Sequence, residues 1–118
     1  MPKPIQVSLD KKGTPPVTVD VCDLDMPRDV ETIHWVRARN QDFDFVDVQV
    51  DESHAPPGTF PYKEVQCAMV TIRDRNTQAT DCPYVITVIS GGAMYQSQGL
   101  CKAKEQVLGG GSPTIHNR

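Results

Sequence analysis

The stretch Thr32-Ile-His-Trp-Val-Arg-Ala-Arg-Asn-Gln-Asp-Phe-Asp-Phe-Val-Asp-Val-Gln-Val50 decides the fold class. In its first part Ile33 and Trp35 share one parity while Thr32, His34 and Val36 take the other. That period of two belongs to a half-buried strand. Arg39-Asn40-Gln41 then turns the chain, and the next segment changes phase: Phe43 and Phe45 hold one parity, but Val46, Val48 and Val50 hold the other. A single extra residue near Phe45-Val46 reconciles the two, so the spacing predicts a β-bulge and a bend there.

The same period continues outward. Ile5, Val7 and Leu9 alternate ahead of the turn Asp10-Lys-Lys-Gly13, and Val17, Val19 and Val21 then share one face opposite Thr18, Asp20 and Cys22. Residues 23–29, with Pro27 inside, read as a polar loop, and residues 51–61, with Pro56, Pro57, Gly58 and Pro61, as a loop unable to hold a ladder. A long strand is expected over 62–74, turning through 75–79 into another over 83–90. A hairpin centred near Thr77-Gln78 would set Cys67 opposite Val88 and Cys82 near Arg73, too far apart for a disulfide. Residues 93–97 make a candidate late strand, while 100–108 stay open between strand and short helix.

Composition agrees with this pattern. Val, Ile and Thr number 29 against 10 for Leu and Ala, which favours pleated segments over helices. The expectation is an all-β antiparallel sandwich of about seven strands. Its domain spans residues 1–108, and a Gly-rich tail over 109–118 ends in an apolar Ile115 that can dock as an edge strand. With 118 residues the chain can bury one core without metal or disulfide. No apolar run reaches the roughly 18 to 20 residues of a spanning helix, so no membrane partner is expected.

Trp35 in the third strand resembles the buried tryptophan of immunoglobulin-like sandwiches. Val21 and Cys22 lie 14 and 13 residues before it, and Asp81-Cys-Pro-Tyr84-Val-Ile86 is similar to the acidic turn and tyrosine that open a late strand of that fold. Ile86 stands where a true immunoglobulin domain carries its second cysteine, so the resemblance implies no inter-sheet disulfide. A second resemblance spans residues 68–117. There, Val70-Thr-Ile-Arg-Asp74, Pro83-Tyr-Val-Ile-Thr-Val88 and Gly111-Ser-Pro-Thr-Ile-His-Asn117 are similar to segments of small bacterial single-domain proteins grouped as the DP-EP family. It implies no assigned activity and carries no site residue to this chain.

The formal charge of −3 argues against general nucleic-acid binding, which needs a basic footprint. That average hides an asymmetry. Residues 20–52 hold ten acidic side chains against three arginines, a local −7, which leaves +4 for the rest. An uneven surface of this kind suits a basic partner, although ordinary solvated strand faces give the same count. The N-terminus lacks the features of a secretory signal, so a cytoplasmic protein is expected. Cys22, Cys67, Cys82 and Cys101 contain no C-x-x-C pair, and free thiols are expected in a reducing compartment.

No catalytic motif is present, so no enzyme activity, catalytic residue, cofactor or metal is assigned. His34 falls on a strand, His54 in a Pro-rich loop and His116 in the tail. Asp23 and Asp25, with Asp42 and Asp44, offer hard oxygen ligands for calcium only if both pairs meet at one end of the sandwich. Segments 65–72 and 84–89 carry apolar residues on both faces, so the outer face needs cover from a loop, the C-terminal segment or another subunit. The functional expectation is therefore a non-catalytic protein-interaction or assembly module, with a protein partner or a homodimer. The alternative is a cation- or saccharide-binding module using the acidic loops.

Overall fold

A computed structural model describes residues 4–13, 16–21, 23–26, 32–53, 55–75, 79–97 and 113–117. Among these residues the chain is all-β, with ten strands and no helix. They are β1 (Ile5–Leu9), β2 (Val17–Val19), β3 (Asp23–Met26), β4 (Thr32–Arg37), β5 (Asp44–Val50), β6 (Tyr62–Val65), β7 (Met69–Arg73), β8 (Thr80–Ser90), β9 (Ala93–Gln96) and β10 (Thr114–Asn117). One sheet has the order β2-β1-β4-β7-β6; the other runs β3-β10-β8-β5, with β9 also paired to β8. The sheets are mixed, since β1 runs parallel to β4 and β10 parallel to β3.

Alternation places the core. Ile5, Val7, Val17, Val19, Ile33 and Trp35 point inward from the first sheet, and Cys82, Tyr84, Ile86, Val88 and Ile115 from the second. Trp35 packs edge-on against Tyr84 with ring centroids 5.1 Å apart, joining the two sheets at their centre. The expected bulge is present. Phe45 pairs with Val88 and Asp47 with Thr87, leaving Val46 unmatched and 37% exposed. Asn40 takes a left-handed φ of 64° in the preceding turn, a conformation that asparagine tolerates.

Four expectations are corrected. The strand read over 62–74 is two strands, folded back at Gln66, Cys67 and Ala68, where the Gln66 N–H donates to the Met69 carbonyl at 2.8 Å. No glycine or positive φ is needed in that turn, so the sequence does not mark it. Next, β7 does not pair with β8: it lies between β4 and β6, and the chain crosses to the other sheet before β8. Inward Val70 and Ile72 need only one buried face, which either sheet provides. Residues 23–26 are strand β3 rather than loop, because Leu24 and Met26 are buried on one side of it. Finally, β10 is not an edge strand; β3 and β8 flank it on both sides.

The hairpin from β8 to β9 turns through Gly91 and Gly92, with φ of 58° and 79°. Two successive positive values define the turn that matches strand twist, and glycine adopts them without strain. Residues 100–108, with His54, Cys22 and Cys101, lie outside the described residues.

Candidate binding seam

Two sheet edges, β5 and β6, run side by side along one flank of the sandwich without forming a ladder. The Phe45 N–H donates to the Cys67 carbonyl at 2.9 Å, which ties the bulge end of β5 to the β6–β7 turn. Farther along, Lys63 Nζ donates to Asp47 Oδ1 at 2.7 Å and approaches the Val48 carbonyl at 3.5 Å. A small cavity of about 70 Å³ opens beneath, lined by Val48, Val50, Glu52, Phe60, Lys63 and Ile72. Beside it lies an open cleft of about 490 Å³, whose polar walls are Asp47, Gln49, Asp51, Glu52 and Lys63.

The two edges are protected unequally. On β5 the Val48 N–H donates to Asp47 Oδ1 at 2.9 Å, Lys63 lies over the carbonyl, and the Val46 bulge interrupts the edge. Those are the features that block a strand from adding. On β6 all four residues are exposed, including Tyr62 at 46% and Val65 at 38%. Because Gln66 bonds to Met69, the pairs Glu64–Thr71 and Tyr62–Arg73 are the hydrogen-bonded ones in the β6–β7 ladder. The N–H and C=O groups of Lys63 and Val65 therefore point away from β7, and among the described residues no strand pairs with them.

The residues singled out from sequence fall elsewhere. Asp23 pairs across β10 with the Pro83 position of β8, whereas Asp44 pairs with Ile89, six residues along the same strand. The two acidic pairs are thus about 20 Å apart along β8 and do not converge. Among the described residues no group of three or more His, Cys, Asp or Glu stands together to hold a metal ion. His34 is half-buried, with Nδ1 3.1 Å from the Thr71 hydroxyl, and His116 Nδ1 lies 2.6 Å from Asp81 Oδ1. Cys67 is free and exposed, and Cys82 is free and buried. Burial pushes the Cys82 thiol above its ordinary pKa; the Thr80 hydroxyl opposes that shift, and Asp74, Asp51 and Glu52 add to it.

A second cleft, at the other end of the sandwich, is lined by Lys11, Lys12, Asp10, Asp42, Asn40 and Ser90 among others, and its charges balance. The doubly apolar segments find only partial cover: Met69, Val85 and Ile89 are half-buried, and Met94 is 64% exposed. The C-terminal strand extends the second sheet instead of lying over it. Sequence reasoning missed the β5–β6 seam, because its only local signal was the polar Tyr62-Lys-Glu64 at the head of an apolar run.

No protein-family model matches the chain, and no curated protein does. Among the described residues no helix is long and apolar enough to cross a membrane.

Proposed function

We propose that this chain is a non-catalytic, cytoplasmic protein-binding module that takes an extended segment of another protein along the free edge of β6. The observation that carries the reading is the contrast across the seam. Edge groups on β5 are covered by Asp47, Lys63 and a bulge, while among the described residues no strand pairs with those of Lys63 and Val65 on β6. An added strand would gain main-chain hydrogen bonds, with its alternate side chains set over the half-buried Val50 and Phe60. We also read the sandwich as immunoglobulin-like, on the strength of Trp35 and Tyr84 meeting between the sheets; the parallel β1–β4 and β3–β10 pairs are additions to that plan. The DP-EP resemblance assigns it no activity.

Substituting Val65→Pro tests the reading, because it removes an outward N–H while β6 keeps its bonds to β7 through Tyr62 and Glu64. Proteins retained from the source cell lysate by the wild-type chain should be lost by this variant. Identical retention by both would overturn the reading.

A further inference from the structure

The walls of the seam are acidic. Among the described residues that line the cleft, Asp47, Asp51 and Glu52 stand with one cation, Lys63, which Asp47 engages at 2.7 Å. Asp51 and Glu52 are exposed, and Glu64 stands on the outer face of β6. Apolar surface from the half-buried Val50 and Phe60 lies beside these carboxylates. A long cationic side chain fits such a surface, with its aliphatic stem on Val50 and Phe60 and its head at the carboxylates.

We propose that the occupant of the β6 edge is a basic extended segment of a partner protein, with Lys or Arg at the alternate positions that face the seam. This inference rests on the edge reading and adds the partner's chemistry. A strand bonded to Lys63 and Val65 places every second side chain toward Val50 and Phe60, within reach of Asp51 and Glu52. Asp51 and Glu52 are screened by salt, so the charge preference weakens as ionic strength rises while the main-chain bonds persist. A second copy of the chain is a poorer occupant, since the residues it would bring along β6 include Glu64.

Short synthetic peptides alternating Thr with Lys, Thr with Gln or Thr with Glu provide the probes, titrated against the full chain by isothermal calorimetry. The Lys peptide should bind saturably and about tenfold or more tighter than the Gln peptide, a difference of about 1.4 kcal/mol. Asp51→Lys combined with Glu52→Lys should remove that advantage, and the Glu peptide should bind weakest. N-methylation of alternate peptide amides should abolish binding by the unchanged protein, which keeps the test independent of how well Val65→Pro folds. Equal binding of the Lys and Gln peptides, both lost on N-methylation, would overturn the basic preference and leave the edge reading standing. Lys-peptide binding that survives N-methylation, or no binding by any peptide, would overturn both.

Discussion

Asn117 donates from Nδ2 to Asp74 Oδ1 at 3.0 Å, and both residues are buried, at 2% and 0% exposure. This contact ties the C-terminal strand to the end of β7, across the two sheets. Replacing Asn117→Ala removes a donor from a buried carboxylate and should cost about 2 kcal/mol in urea denaturation. Asn117→Asp should cost more at neutral pH, because it sets a second carboxylate beside Asp74, and part of that loss should return as the pH falls. Cys82 has the opposite pH sense. Its folded pKa is raised, so above the unfolded thiol's pKa of about 8.5 the unfolded chain gives up a proton that the folded chain keeps. Stability therefore falls as pH rises past that value, and thermal melts of Cys82→Ala should show a shallower decline there than wild type. Peptide-resolved alkylation should find Cys67 modified rapidly in the native protein and Cys82 only after unfolding.

At the level of elements, the bulge in β5 makes a prediction that separates it from ordinary strand residues. Removing Val46 brings Phe45, Asp47 and Val48 into simple alternation with the present pairing to Val88, Thr87 and Ile86. The deletion should therefore leave the melting temperature within a few degrees of wild type, whereas deleting Gln49 flips Val50 and everything after it and should destabilise far more. A large loss on deleting Val46 would show that the bulge itself supports the fold. This element was legible in the sequence because two runs of alternating residues met out of phase at one position. Strands β1, β2 and β4 were legible for the same reason, through Ile5, Val7, Val17, Val19, Ile33 and Trp35. The β6–β7 turn was not, because Cys67 and Ala68 carry no turn chemistry and the run around them is apolar at both parities. Likewise Asp23 and Asp25 hid β3, whose strand character comes from burial of Leu24 and Met26 beside Ile115 on the neighbouring β10. Sheet membership of β7 and the seam itself depend on which edges meet in three dimensions, and residue periodicity carries no information about that.

Across the whole molecule, an open strand edge raises the question of why two copies would not join through it. Antiparallel pairing of β6 with β6 must match outward-bonding residues with one another, so Lys63 and Val65 can face only Lys63 or Val65 of the second copy. Placing Lys63 opposite Val65 sets Glu64 directly against Glu64, and centring the pair on Lys63 sets two ammonium groups together. Like charges opposite one another are destabilising, and the remaining two-fold registers overlap by too few residues or run into Pro61, which has no N–H to donate. The wild-type chain should therefore sediment as a monomer even at high concentration. Glu64→Val removes the repulsion in the longest register and adds an apolar cross-strand pair, so this variant should show a mass that rises with concentration toward a dimer. Adding Val65→Pro to it should restore the monomer by taking away an edge N–H. A Glu64→Val chain that stays monomeric would mean that the β6 edge cannot accept a strand, and a wild-type dimer would mean that charge does not guard it.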